Sequence, residues 1–162
     1  MRIDDEIPNL RSSRRFARIR QCFEAARGRL GLRLVEFSVL SNHFHLIVEA
    51  DDGRALSRGM QGLAIRVAKA LNALAGRTGR VFADHYHSRL LTTPTELTRA
   101  IRYVVDNANH HYGDRGADIF SSRGPGGLGA LAPPLGWLLR RGWSRARPRD
   151  RIEPLALRLD SP

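Results

Sequence analysis

Two histidines stand two residues apart in His43-Phe44-His45-Leu46-Ile47-Val48-Glu49. On a strand, alternation sends Phe44, Leu46 and Val48 to the core and both imidazoles to the opposite face. Side by side, they form a pre-aligned two-nitrogen site for a divalent metal, with positions left for a third ligand and a substrate oxygen. Further on, Tyr103 and Asn107 are four apart and so share one face of a helix, which His110 and His111 continue. A phenol and a neutral oxygen ligand thus project together. A phenol with a pKa near 10 is mostly protonated at pH 7, so any role as an anion needs help from its neighbours. Arg99 or Arg102 nearby would lower that pKa, and His110 would take the proton. The plainer reading makes the histidines ordinary strand residues, Tyr103 an amphipathic surface tyrosine and Asn107 a solvated polar residue.

The elements that must position these groups follow from periodicity. Residues 14–27 place Phe16, Ile19, Phe23 and Ala26 at helical spacing, and Gly28 and Gly31 end the helix. Residues 32–40 alternate, with Val35, Phe37 and Val39 on one face, and Ser41-Asn42 turns the chain into a second strand over 43–50. After Asp51-Asp52-Gly53 comes a long helix striped by Leu56, Met60, Leu63, Val67, Leu71 and Leu74, ending at Gly76. A third strand is expected over 80–92. Thr93-Pro94-Thr95-Glu96 then reads as a capping box opening a helix from 94 to about 111. With a stub of a strand at 1–3, the order is that of the split βαβ, or ferredoxin-like, arrangement. The expected class is α+β: an antiparallel sheet with helices on one face, plus the tyrosine-bearing helix. Phe16, Phe23, Met60 and Leu63 belong to the core, and Cys22 is a small buried or half-buried residue.

The chain has 162 residues, with 27 basic against 16 acidic side chains, a net charge of +11 and a pI near 11.4. Lys69 is the only lysine, so the rest of the basic residues are arginines, whose planar fork suits phosphate. The imbalance calls for a polyanionic partner, nucleic acid first. One cysteine excludes an intramolecular disulfide and a cysteine-based zinc site, and no apolar run approaches a membrane span. The expectation is a cytoplasmic protein without a membrane partner. Residues 1–113 read as the core domain and 114–134, rich in glycine and proline, as a linker. Residues 135–162 read as a basic tail in which Trp137 and Trp143 stack on bases while Arg140, Arg141, Arg145 and Arg147 neutralise phosphates. The competing reading docks Trp137, Leu138 and Leu139 on the core as a short helix.

Other residues fit less well. His85-Tyr86-His87 repeats the H-x-H pattern without a third ligand at helical spacing. Tyr112 lies at the helix end beside Gly113, a poor place for a nucleophile. Glu49 shares the histidine face. Arginines 11–20 either track phosphates or form a solvated helix face.

Taken together, SNHFHLIVE, HYHSRLLTTP and ELTRAIRYVVDNANHH resemble the single-tyrosine HUH transposases, and more narrowly the IS200-like and REP-associated tyrosine transposases. The resemblance covers about residues 14–111. It implies His43, His45 and Asn107 as ligands of Mg²⁺ or Mn²⁺ and Tyr103 as the nucleophile that forms a 5′-phosphotyrosine on single-stranded or hairpin DNA. It also implies a homodimer, and no nucleotide cofactor, because the covalent bond conserves the energy of the broken phosphodiester. The sequence departs from the pattern in its short first strand and in Ala108, where relatives often carry proline. Two alternatives stand beside this: a domesticated or degenerate, non-catalytic nucleic-acid-binding protein of the same fold, and a metal hydrolase with Glu49 as its base.

Overall fold

The computed structural model describes residues 1–4, 7–113 and 116–159. Helix α1 (Ser13–Ala26) starts where the Ser12 hydroxyl accepts the Arg15 N–H, satisfying one of the donors that a helix start leaves open. Strands β1 (Leu32–Val39) and β2 (Phe44–Ala50) pair antiparallel, with a bulge between Leu34 and Glu36. Helix α2 (Gly53–Ala75) is capped by Asp52 and stops at Gly76, whose φ of 62° is the left-handed conformation that glycine adopts without strain. Helix α3 (Pro94–Tyr112) carries the complete capping box: the Thr93 hydroxyl accepts the Glu96 N–H, and the Glu96 carboxylate accepts the Thr93 N–H. A single turn, α4 (Trp137–Arg140), and several 3₁₀ turns follow. The class is α+β, a two-stranded antiparallel sheet with four α-helices among the described residues.

Neighbouring strand residues face opposite ways, and that decides the layers. Phe44 and Phe37 both meet Phe23 edge-on, at 5.8 and 5.1 Å between ring centres, which puts α1 on their face of the sheet. Phe16, Ile19, Met60, Leu63, Val67 and Leu71 are also buried. His45 points the other way and meets Tyr103, so α3 covers the second face. Glu36, Ser38, Glu49 and Arg33 share that second face, as their cross-strand pairings with Ile47, His45, Arg33 and Glu49 require.

Two expectations change. Residues 80–92 do not form a strand: Phe82 bridges to Ile3 and the rest is irregular. A strand needs a partner along its length, and among the described residues the backbone pairing of this stretch is with the short segment 2–4, at Val81 and Ala83. Arg2 in turn bridges to His43, so residues 1–4 lie between β2 and residues 81–83.

The stretch 116–134, expected to be a linker, is packed. Phe120 O accepts the Val39 N–H, Ser122 N–H donates to Phe37 O and Ala132 N–H to Leu34 O, each at 2.9 Å, so this segment runs along the free edge of β1. Ala130 and Leu131 are fully buried. The expected first residues of the linker, 114 and 115, and the last three of the tail lie outside the described residues. Among the described residues, no helix is long and apolar enough to cross a membrane.

Candidate active site

β2 and the bridged residue just before it present the two imidazoles on one face, as strand alternation requires. The His43 and His45 ring centres are 5.0 Å apart and perpendicular. An ion about 2.1 Å from one nitrogen of each ring would hold the ring centres roughly 5 Å apart, so the pair needs little adjustment to share one. His43 Nδ1 lies 2.9 Å from Asn42 Oδ1. An Nδ1–H donated to that acceptor would leave the Nε2 lone pair available. Burial lowers the pKa of His43, helped by the N-terminal ammonium, His111 and Arg2. Burial pushes His45 down further, to about 4, with His43 and the ammonium adding to it. Both rings are therefore neutral at pH 7, the form that binds metal.

Helix α3 brings the second half of the site. Tyr103 lies edge-on to His45, with 5.3 Å between ring centres. Two turns on, His111 lies 6.3 Å from His43. The helical period places Asn107 midway along this stripe. Asn107 is 2 % exposed and its Nδ2 has no hydrogen-bond partner, whereas buried amides are normally bonded. Rotating the amide by half a turn exchanges nitrogen and oxygen at no steric cost, so the unpaired position can present the oxygen that a cation requires.

Among the described residues, no group of three or more histidine, cysteine, aspartate or glutamate side chains is placed to share an ion. The buried, unpartnered amide of Asn107 is a donor of the type that would complete the His43 and His45 pair around a divalent ion. Tyr103 is 54 % exposed, open to a substrate on its outer side.

The accessory expectations fare differently. His111, and not His110, lies with its ring near the histidine pair, because α3 turns His110 one position off the stripe; both rings are exposed. Arg99 and Arg102 are drawn to the C-terminal arm: Arg99 pairs with Asp150 at 3.6 Å, and Arg102 donates to Arg149 O at 3.2 Å. Tyr112 is held structurally, its hydroxyl accepting the Ser41 N–H at 3.0 Å and its ring lying 4.5 Å from the Arg11 guanidinium. His85 and His87 sit exposed in the irregular segment after Phe82.

Glu49 accepts Leu135 N–H at 2.7 Å, Gly136 N–H at 2.6 Å and Arg33 Nε at 2.7 Å, so its carboxylate holds the start of the C-terminal arm. Gly136 permits this approach, since a Cβ there would meet Glu49 Oε1 at 2.5 Å. Arg11 is bound bidentately to Asp118 and also donates to Val39 O, so it serves the fold, while Arg15, Arg18 and Arg20 make exposed bonds to Asn9 O, Gln21 and Gly126 O.

The residue that spacing did not single out is Glu36. It is fully buried and accepts from Ser122 Oγ at 2.6 Å, Arg123 Nη2 at 2.8 Å and Leu155 N at 2.8 Å. A glutamate inside an otherwise apolar run was its one visible signal. No protein-family model, curated protein or solved structure matches the chain.

Proposed function

We propose that the chain is a metal-dependent, single-tyrosine DNA strand transferase acting on single-stranded or hairpin DNA, with the split βαβ fold of the HUH transposases. The observation that carries this is the meeting of Tyr103 with His45 beside His43, across two elements far apart in sequence. The neighbour order of β1, β2, residues 1–4 and residues 81–83 supports it, because a split βαβ sheet is ordered this way.

His43, His45 and Asn107 would hold Mg²⁺ or Mn²⁺, and of the two Mn²⁺ takes imidazole more readily. When bound, the ion neutralises charge on the scissile phosphate and fixes its orientation. The Tyr103 oxygen attacks phosphorus and gives up its proton to the solvent that its exposed side meets. The bond from phosphorus to the 3′ oxygen breaks, and that oxygen takes a proton to leave as a free hydroxyl. The 5′-phosphotyrosine keeps the bond energy, so the same hydroxyl or another rejoins the strand by the reverse displacement. Asn107, buried beside the phenol on the same helix face, restrains the geometry. A dimer would supply one nucleophile for each of two strands.

Incubating the protein with end-labelled hairpin DNA and Mn²⁺, followed by denaturing electrophoresis, tests the reading. A protein-linked strand is expected from the wild type and none from Tyr103→Phe. An adduct that persists in Tyr103→Phe, or no adduct under any metal, overturns it.

A further inference from the structure

The arm of residues 135–151 carries six arginines against one acidic residue, Asp150, a net charge of +5. It is fixed at both ends. Glu49 holds its first two backbone N–H groups, Asp150 and Arg149 O tie it to α3 beside Tyr103, and Leu139 and Ala146 are buried between. The docking and nucleic-acid readings of this segment are therefore compatible.

Its two tryptophans divide. Trp143 is half-buried and packs against the core. Trp137 remains 51 % exposed, with the Arg145 guanidinium 5.3 Å from its ring centre. Gly142 leaves room for the indole, since a Cβ there would come within 2.8 Å of it. Among the described residues, the side chains of Arg140, Arg141, Arg145 and Arg147 form no hydrogen bond or ion pair. Beyond the contacts of Trp137 with Arg145 and Gly142, half of the indole and four guanidinium groups without an acidic partner remain presented to solvent. They match a polyanion that also offers flat aromatic faces.

We propose that Trp137 and these four arginines form a seat for an unpaired nucleotide of single-stranded DNA, the base stacking on the indole and the flanking phosphates meeting the guanidinium groups. The inference rests on the strand-transferase reading for the identity of the strand, and adds where that strand is held. Because duplex pairing hides the base faces, the seat favours single strands.

The chain has two tryptophans, so Trp143→Phe leaves Trp137 as the sole reporter. In a Trp143→Phe, Tyr103→Phe background, where the proposed nucleophile is absent, a short oligothymidylate is expected to quench the fluorescence saturably, and the matching duplex much less. Trp137→Ala should weaken binding of a labelled oligothymidylate about 5- to 150-fold, with an unchanged salt slope, while Trp137→Phe recovers part of the loss. Arg140→Gln with Arg145→Gln should flatten the salt slope by roughly 0.7 for each phosphate that is no longer neutralised. No quenching, equal quenching by duplex, equal affinity in Trp137→Ala, or a response to phosphatidylserine vesicles but not to DNA would overturn the seat. Quenching without a wild-type covalent adduct leaves the seat standing and removes the strand transferase. An adduct without quenching does the reverse.

Discussion

Replacing Glu36 tests how the C-terminal half is held. The carboxylate is fully buried and joins β1 to Ser122, Arg123 and Leu155. In Glu36→Ala, the buried Leu155 N–H loses its acceptor, at about 1–3 kcal/mol. Arg123 loses its counter-ion, but its side chain is 24 % exposed and reaches water, so its share is smaller. Ser122 Oγ still accepts from Phe37 N and loses only its bond to the carboxylate. Adding the unfilled space, Glu36→Ala should cost about 2–4 kcal/mol. Glu36→Gln keeps the shape and an acceptor oxygen and should cost about 1–2 kcal/mol. Urea unfolding by linear extrapolation measures both. Limited trypsin digestion should cut earlier around Arg123 and Arg140 in the alanine variant than within α2. A loss below about 1 kcal/mol in Glu36→Ala, or unchanged protection around Arg123, would refute the claim that this carboxylate holds its segment in place.

Other perturbations act on single interactions. Gly59 lies where a Cβ would meet Leu32 Cβ at 2.6 Å, so Gly59→Ala should destabilise by about 1–3 kcal/mol despite the usual helical gain, as thermal melting would measure. Tyr112→Phe should cost about 1 kcal/mol by orphaning the Ser41 N–H, with no loss of DNA adduct on denaturing gels. Glu96 is held near a pKa of about 2 by hydrogen bonds from Thr92 and Arg89. Its contribution is therefore complete above its ordinary value of 4.5 and lost as pH falls toward 2. The gap in melting temperature between wild type and Glu96→Gln should be widest near neutral pH and close in acid. Mn²⁺ should raise the melting temperature of the wild type and not that of a His43→Ala, His45→Ala double variant, by mass action on the folded state.

What could be read from the chain was what local rules govern. Thr93 and Glu96 set the start of α3, Gly76 the end of α2, and a period of two put His43 and His45 on one face. Helical spacing paired Tyr103 with Asn107, but it could not choose between His110 and His111, because a difference of one residue swings a side chain by about 100° and only the packing of α3 sets the zero of that angle. Nor could it show that Asn107 is buried.

The segment 116–134 escaped for a different reason. Its glycines and prolines carry no period, and its backbone bonds go to β1 residues more than eighty positions earlier. The roles of Glu36 and Glu49 likewise depend on partners 86 to 119 residues away. Tertiary structure alone decided these, since a carboxylate becomes an anchor only when distant N–H groups are brought to it and water is excluded.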